Sequence, residues 1–360
     1  MKGIQVSAYV NVGPPPTSRT IATETSARLT GQLLLQGPED LRIVDLPDPT
    51  PAVDEYLIQI RASAANFFDL LQIRGKYQRQ PPFPWISGME FAGTILAAGP
   101  SANKFKVGDR VFGAKQGAYA TKICVKEPAL RPVPEGWEFD AAAGLYITAP
   151  TSYQGLVGRA GVKKGDWVLV HAGAGGVGLA AIQIAKYFGA KVIATASTDG
   201  KLEVCRSFGA DHIVDYSKDT WPKSVLVITG GKGVDIVYDP VGLVEQSLKC
   251  IAWNGRILII GFAGGKIEKV AMNRVLLKNV SLVGLHWGRY MEIQDEAGTV
   301  EDVWSGILGM IKDGGFKPTV YRGKEFVGLE SVPRALKALG ARETWGKVVV
   351  TVPKEGESKL

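Results

Sequence analysis

The chain has 360 residues, of which 46% are hydrophobic and 21% charged, and its formal net charge is +7. This length provides an ample core and suits about two domains. The lysines and arginines are scattered, so the positive excess predicts an ordinary basic surface and no nucleic-acid-binding patch. No apolar run approaches the roughly 18 residues of a membrane span, and the first residues lack the apolar core of a signal peptide.

The first part of the chain predicts strands. A strand is predicted at residues 1–10. Residues 11–37 contain three consecutive prolines and a Ser/Thr-rich stretch, and they resemble an insertion or a long hairpin of unassigned role. From residue 41 to about 134, short apolar runs separated by Pro/Gly turns predict a β-rich domain of barrel type. Its clearest strand candidates are 41–44, 56–60, 91–95 and 107–111.

From about residue 150, strand and helix patterns alternate, which predicts a doubly wound parallel sheet. The six strand candidates are 167–171, 191–195, 212–214, 235–238, 256–260 and 280–286. After about residue 288 the alternation ends. An amphipathic helix is predicted at 300–313, and strands at 316–327 and 346–352 are expected to return to the first domain. The predicted domains are therefore 1–149 with 289–360, and 150–288.

The most informative stretch lies at the start of the second domain. A short apolar strand at 168–170 is followed by a G-x-G-x-x-G loop at 173–178, a helical pattern, and a second strand at 191–196. This order is typical of the unit that binds a dinucleotide. The tight turn requires positive φ, which favours glycine, and a side chain would block the pyrophosphate. We expect the pyrophosphate to contact Ala174, Gly175, Gly176 and Val177, near the positive helix N-terminus.

The three cysteines, Cys124, Cys205 and Cys250, lie far apart and contain no C-x-x-C pair. They form neither a disulfide framework nor a zinc knuckle, and they fit a reducing compartment. The last three residues, Ser358, Lys359 and Leu360, match the peroxisomal address. We therefore expect the peroxisomal import receptor as a partner and a peroxisomal location, with the cytoplasm as the alternative.

Four motifs follow one another in an order that resembles the medium-chain dehydrogenase/reductase superfamily. They are an Asn-Phe-Phe-Asp segment at 66–69 with Arg-Gly-Lys-Tyr at 74–77, Gly-Met-Glu at 88–90, Val-Gly-Asp-Arg-Val at 107–111, and the glycine loop. The details resemble its zinc-free branch, the zeta-crystallin-type NADPH:quinone oxidoreductases. This resemblance implies a Rossmann domain at 150–288 and a β-rich, GroES-like barrel that forms the catalytic domain.

The chain differs from the zinc alcohol dehydrogenases at the metal ligands. The resemblance places Asn66 where that branch has a cysteine, and Met89 where it has a histidine. The four closely spaced cysteines of the structural lobe are missing as well. Because two of three ligands are absent, no catalytic Zn²⁺ is expected.

In a zinc-free enzyme, hydrogen bonds must polarise the acceptor, and the resemblance implies Asn66, Tyr77 and Thr151 around the nicotinamide. Tyr77 and Asn66 are the catalytic candidates, and Tyr77 and Thr151 are also candidates for cofactor contact. Each has a structural alternative: an aromatic that closes a turn for Tyr77, a backbone-capping amide for Asn66, and an ordinary N-cap for Thr151.

The end of the second Rossmann strand predicts the cofactor. NAD-binding proteins place an acidic residue there, whereas this chain has the uncharged Ser197. Lys201 lies within reach of a 2′-phosphate, and Tyr216 matches the family's adenosine-phosphate contact. These residues favour NADPH, while an inward-pointing Asp199 would favour NADH.

Two later strand ends are also expected near the cofactor. Ligands of such sheets lie beyond the carboxyl ends of the strands, so Gly261, Phe262 and Ala263 are expected to flank the nicotinamide half. Trp287 is either a wall of the substrate pocket or a packing aromatic. His171 lacks a catalytic partner at a suitable spacing and is interpreted as structural.

The resemblance therefore implies an NADPH-dependent reductase that transfers hydride to a quinone or an α,β-unsaturated carbonyl without zinc. One alternative is an enoyl-thioester reductase, which a peroxisomal address favours. Another is a structural or RNA-binding protein with low turnover, although the scattered charge favours it little. The sixth strand, 280–285, is apolar and is expected at a sheet edge, which predicts a homodimer.

Overall fold

The computed structural model describes residues 1–6 and 37–354. The predicted insertion at 11–37, apart from Gly37, and the terminal tripeptide lie outside the described residues. The chain divides into two compact units, Met1–Gly144 with Val320–Leu360, and Leu145–Thr319. Within the described part, every helix is too short or too polar to cross a bilayer.

The strands and helices are numbered in chain order. The strands are β1 Lys2–Val6, β2 Arg42–Asp45, β3 Glu55–Ala64, β4 Trp85–Ile86, β5 Glu90–Ala98, β6 Arg110–Ala114, β7 Lys122–Lys126, β8 Leu130–Pro132, β9 Trp167–Val170, β10 Lys191–Ala196, β11 His212–Asp215, β12 Val234–Asp239, β13 Ile251–Ile259, β14 Ser281–Gly284 and β15 Val349–Thr351. The helices are α1 Phe67–Ile73, α2 Phe139–Ala143, α3 Thr148–Tyr153, α4 Gly176–Tyr187, α5 Asp199–Ser207, α6 Trp221–Ile228, α7 Val244–Ser247, α8 Met272–Lys278, α9 Trp287–Tyr290, α10 Ala297–Lys312 and α11 Val332–Gly340. A π-helical stretch, Gln154–Arg159, continues α3.

The first unit is built on antiparallel strands. Its larger sheet has the order β15-β3-β5-β6-β8, with β7 also paired to β3, and its smaller sheet has the order β2-β1-β4. Strand β3 is central, because it pairs with β15, β5 and β7. Along most of β3, buried and partly exposed residues alternate. Tyr56, Ile58 and Ile60 of β3 are fully buried and pack with Phe91 of β5 in one hydrophobic core. The predicted β-rich domain is therefore confirmed.

The second unit contains a six-stranded parallel sheet in the order β11-β10-β9-β12-β13-β14. This is the strand order of a full dinucleotide-binding fold, so the predicted doubly wound sheet is confirmed. The order reverses between β9 and β12, and loops that follow these strands meet at one edge of the sheet. Leu169 and Ile193 are completely buried, because parallel strands are covered on both faces.

Two predicted strands differ from the structure. The predicted strand at 107–111 begins only at Arg110, because Gly108 has a φ of 94° and the Asp109 carboxylate accepts the Lys106 N–H at 2.8 Å, which makes a turn. The predicted strand at 316–327 is reduced to isolated bridges at Val320 and Val327, in a segment where Pro318 lacks an N–H.

The unit boundaries also differ from the predicted domains. Residues 289–319, predicted to belong to the first domain, lie within the second unit, Leu145–Thr319. The reason is helix α10, whose Trp304 is 1% exposed and packs its ring 4.9 Å from that of Tyr146. Burying a tryptophan in this way holds α10 against the second unit.

Candidate active site

The glycine loop connects β9 to α4 at the carboxyl edge of the sheet. Helix α4 begins at Gly176 with Gly175 as its N-cap, so the N–H groups of its first turn have no partner within the helix. The expectation of positive φ at the loop glycines was wrong. Ala172 has a φ of 45°, whereas Gly173, Gly175 and Gly178 have negative or extended φ values.

Close packing is the reason that glycines occupy this loop. A Cβ at Gly178 would lie 2.5 Å from the carbonyl oxygen of Ala172 and 2.6 Å from that of Gly173. A Cβ at Gly173 would lie 2.9 Å from both Ala194 Cβ and Cys205 Sγ. The loop therefore lies directly on the helix start and on β10, leaving backbone N–H groups as the surface that a pyrophosphate would contact.

Neighbouring strands bring the predicted ribose contacts to the same edge. Ser197 follows β10 and Tyr216 follows β11, and the Tyr216 N–H donates to the Ala196 carbonyl at 3.2 Å. Lys201 lies in the first turn of α5, where its N–H donates to Thr198 Oγ1 at 3.4 Å. Asp199, the first residue of α5, is exposed. The predicted uncharged position therefore directly follows β10, and the lysine lies in the first turn of the helix after it.

The loops after β12 and β13 are held together by backbone hydrogen bonds. The Ala263 N–H donates to the Pro240 carbonyl at 3.0 Å, next to Gly261 and the partly exposed Phe262. The buried Asp239 carboxylate organises the β12 loop, because it accepts the N–H groups of three consecutive residues, 241–243, at 2.6–2.9 Å. These loops therefore form a rigid rim at the predicted nicotinamide side of the sheet.

Thr151 is the fourth residue of α3 and not its N-cap, so the capping interpretation was wrong. Its hydroxyl donates to the Ile147 carbonyl at 2.6 Å. The neighbouring Ser152 hydroxyl lies 2.9 Å from both the Val177 carbonyl oxygen and the Tyr238 hydroxyl. Ser152 thus joins α3 to the glycine loop, a role that the sequence did not indicate.

His171, between β9 and the glycine loop, is completely buried. Burial lowers its pKa to about 4, so the imidazole is neutral at physiological pH. Its ring nitrogens lie 3.0 Å from Thr195 Oγ1 and 2.9 Å from Ser247 Oγ. Trp287 is 4% exposed and stacks on Tyr290, which favours its interpretation as a packing aromatic.

In the first unit, Asn66 belongs to a buried polar cluster. Lys347 Nζ donates to Asn66 Oδ1 at 2.7 Å and to Glu90 Oε2 at 2.6 Å, and Asn66 Nδ2 donates to the same Glu90 oxygen at 2.8 Å. Asn66 is also the N-cap residue of α1, and its N–H donates to Asp69 Oδ2 at 2.9 Å. Lys347 was missed from the sequence, although a lone lysine beside the apolar run 348–352 is an unusual signal.

The buried residues Asp69 and Tyr119 stabilise the backbone at Asn66. Asp69 Oδ2 accepts the Asn66 N–H at 2.9 Å and the Tyr119 hydroxyl at 2.8 Å. Burial raises the pKa of the Asp69 carboxyl to about 7, against the lowering effect of these two hydrogen bonds. Burial and the nearby Asp69 charge also raise the pKa of Tyr119. The backbone of Asn66 is thus fixed by Asp69, while its amide is fixed by Lys347 and Glu90.

Tyr77, the second catalytic candidate, lies in a bend after α1. It is half-buried and stacks on Phe68 with ring centroids 5.4 Å apart. Its hydroxyl forms no hydrogen bond within residues 1–6 and 37–354. Burial raises its pKa, so the phenol stays protonated at neutral pH and is available as a donor.

The residues at the positions that correspond to the zinc ligands of the alcohol dehydrogenases do not suit zinc. Asn66 and Met89 are poor ligands for Zn²⁺, and the Lys347 ammonium already lies 2.7 Å from Asn66, where it would repel a second cation. In the described ranges, no three His, Cys, Asp or Glu side chains are grouped as a metal site.

The comparisons with known proteins agree with this geometry. Residues 52–135 match the model described as alcohol dehydrogenase GroES-like domain, and residues 176–302 match the model described as zinc-binding dehydrogenase. The quinone oxidoreductase-like protein 2 of Rattus norvegicus is 37% identical over 302 residues, which cover 83% of this chain and 85% of the relative.

The chain belongs to the zinc-free quinone oxidoreductase family of medium-chain dehydrogenases/reductases. This family is one of oxidoreductases, and the resemblance is confirmed. The Escherichia coli quinone oxidoreductase, solved in complex with NADPH, superposes with a TM-score of 0.81 and 27% identity over 98% of this chain and 100% of that chain. The CurK enoyl reductase superposes with a TM-score of 0.77 and 27% identity over 89% and 98% of the two chains.

Proposed function

We propose that this oxidoreductase uses NADPH to reduce a quinone or an α,β-unsaturated carbonyl without a metal. The observation that carries the proposal is the edge of the second unit's sheet, where the glycine loop packs on β10 and that strand is followed by the uncharged Ser197 and by Lys201. An uncharged Ser197 in place of an acidic residue, together with Lys201, favours a phosphorylated ribose. The E. coli quinone oxidoreductase complexed with NADPH, a structural neighbour, supports the same cofactor.

NADPH would supply the hydride, and the protein would orient and polarise the acceptor. The N–H groups of Ala174, Gly176 and Val177 would bind the pyrophosphate, while Gly175, whose N–H donates to the Ala172 carbonyl at 2.8 Å, would leave room for it. Gly261, Phe262, Ala263 and Thr151 would flank the nicotinamide. Tyr77 would hold the acceptor oxygen, because its hydroxyl is protonated and has no partner within the described ranges. Such a donor stabilises the negative charge that develops on oxygen as hydride arrives.

An enoyl-thioester reductase is the second candidate. The CurK enoyl reductase is a structural neighbour, and a protonated Tyr77 suits the protonation that follows hydride addition to an enoyl group. The third candidate, a structural or RNA-binding protein with low turnover, gains little support from the net charge of +7, because the lysines and arginines are scattered.

One assay separates these candidates. The purified protein is mixed with NADPH, and the loss of its absorbance is followed with simple quinones, small enones and enoyl-CoA thioesters. We expect acceptor-dependent oxidation with quinones or enones, and slower oxidation of NADH. A preference for enoyl-CoA would favour the second candidate, and the absence of acceptor-dependent oxidation would leave only the third.

We also propose that the protein is a homodimer joined through β14. This strand ends the order of the parallel sheet, and next to it α8 exposes Met272, Leu276 and Leu277, each 64–77% accessible. An apolar strand edge favours pairing with a second copy. Light scattering should give twice the mass of the chain, and Leu276→Glu with Leu277→Glu should shift it towards the monomer. A monomeric wild type would contradict the proposal.

The peroxisomal location is likewise a proposal, carried by Ser358, Lys359 and Leu360. A fluorescent protein fused to the N-terminus of the full chain should enter peroxisomes in cells, through the import receptor. The same fusion without the last three residues should stay in the cytoplasm. Equal distributions of both fusions would contradict the proposal.

A further inference from the structure

Among the described residues of the first unit, Lys347 is a buried ammonium group at the edge of an apolar segment. Lys347 is 2% exposed and precedes three buried valines, Val348, Val349 and Val350. Its stem runs along Gly144, where a Cβ would lie 2.9 Å from Lys347 Cβ. The backbone thus leaves room for this side chain, and burying a charge is unfavourable unless strong partners compensate for it.

The partners form a closed triangle. The ammonium donates to Asn66 Oδ1 and Glu90 Oε2, and the Asn66 amide nitrogen donates to Glu90 Oε2, with all three distances between 2.6 and 2.8 Å. Glu90 is 0% exposed and Asn66 is 6% exposed. Because lysine only donates and a carboxylate only accepts, the triangle allows a single orientation of the Asn66 amide.

A purely stabilising role does not account for this arrangement. A buried ion pair is usually no more stable than well-packed apolar residues of similar volume, so stability alone gives little reason for Lys347. The triangle instead includes Asn66, the catalytic candidate that the family motif provides. The second Nδ2 hydrogen of Asn66 reaches the Ala64 carbonyl only at 3.4 Å, which leaves it weakly bonded and available.

We propose that Lys347 is a positioning residue, which with Glu90 fixes the Asn66 amide in the orientation needed for hydride transfer. This inference rests on the proposed reductase function. The ammonium prevents the amide from rotating, so Asn66 presents its weakly bonded second Nδ2 hydrogen and the second lone pair of Oδ1 in one geometry. A misplacement of about 1 Å at a positioning group can lower a rate by about 10²-fold.

The test distinguishes a role of Lys347 in positioning Asn66 from a role in the stability of the fold. Lys347→Met alone leaves Glu90 buried without its cation, so it is combined with Glu90→Gln, which removes both charges at similar volume. We expect this double variant to unfold at a urea concentration close to that of the wild type. Its kcat with quinone or enone should fall about 10²-fold, while its Kd for NADPH should change less than about threefold, because the glycine loop and Lys201 are intact.

A mutant cycle shows whether Lys347 acts through Asn66. Adding Asn66→Ala to the double variant should lower kcat no further than Asn66→Ala does alone, since the positioned group is already gone. The matched control is Lys163→Met, which removes a lysine 2.7 Å from the largely buried Asp166 carboxylate. Its kcat should stay within about twofold of the wild type, as expected for a residue outside the site.

The outcomes distinguish this inference from the proposed function. If the wild type oxidises NADPH with an acceptor and the double variant does so at the same kcat, Lys347 is only structural. Additive losses in the cycle would also overturn positioning through Asn66. If the wild type shows no acceptor-dependent oxidation, the proposed function fails and this inference fails with it.

Discussion

Replacing Gly178 by alanine tests the glycine loop most directly. The added Cβ would lie 2.5 Å from the Ala172 carbonyl oxygen and 2.6 Å from that of Gly173. These distances are roughly 1 Å shorter than non-bonded atoms prefer. Both oxygens belong to the backbone and cannot rotate away, so the loop and the start of α4 must move apart.

The size of the effect follows from the hydrogen bonds that this movement weakens. A hydrogen bond to a charged group contributes about 1.5–3 kcal/mol, and the N–H groups of the first α4 turn are the expected partners of the pyrophosphate. Loss of one such bond would raise the Kd for NADPH about 10- to 150-fold. Crowding in a packed loop would also lower the free energy of unfolding by about 1–3 kcal/mol.

NADPH fluorescence titration and urea unfolding measure the two quantities. Gly309→Ala is the matched control, because Gly309 lies inside α10 and a Cβ there meets no atom within 4 Å. That variant should bind NADPH like the wild type and should be about 0.5–1 kcal/mol more stable. If Gly178→Ala binds NADPH within twofold of the wild type, the loop is not the pyrophosphate site or it relaxes without consequence.

The remaining predictions concern Lys201, Asp69, Tyr77 and the metal. Lys201→Ala should weaken NADPH by about 1–3 kcal/mol and leave NADH unchanged, and equal wild-type affinities for both nucleotides would contradict this. Because the folded-state pKa of Asp69, about 7, exceeds its ordinary 3.8, its contribution to stability is full below about pH 4 and is lost as the pH rises through 7. Urea unfolding from pH 4 to 8 should show this decline, and Asp69→Asn should flatten it. Tyr77→Phe should lower kcat about 10²-fold for enones and less for quinones, whose reduced oxygen is a weaker base, and unchanged turnover on both would make Tyr77 a pocket wall. Metal analysis should find substoichiometric zinc, and activity should survive chelators, whereas stoichiometric zinc would contradict the ligand argument made from Asn66 and Met89.

The resemblance to known motifs gave the family, and local sequence patterns gave the order of the elements. Strand, glycine loop, helix and strand follow one another within about 30 residues, so neighbouring residues define the dinucleotide-binding unit. The six parallel strands were predicted for the same reason, since each is a short apolar run bounded by turn residues. The positions of Ser197 and Tyr216 at one sheet edge then follow from the parallel pairing of β10 with β11.

Local patterns did not give the backbone detail of the loop. The glycines were expected to supply positive φ, but Ala172 has that conformation and the glycines prevent steric overlap with distant chain segments. In the same way, Thr151 looked like a cap, because the start of α3 depends on contacts that its sequence does not contain.

Only the tertiary structure determined the contacts between residues that lie far apart in the chain. Lys347 meets Asn66 across 281 positions, and Tyr119 meets Asp69 across 50. The periodicity of either segment does not predict such a pairing. For Lys347 and Asn66, the pairing of β15 with β3 brings the two residues together. The sequence by itself determined that a polar Asn66 follows β3, whereas the fold determined that its amide is held by a buried ammonium, since only folding removes that charge from water.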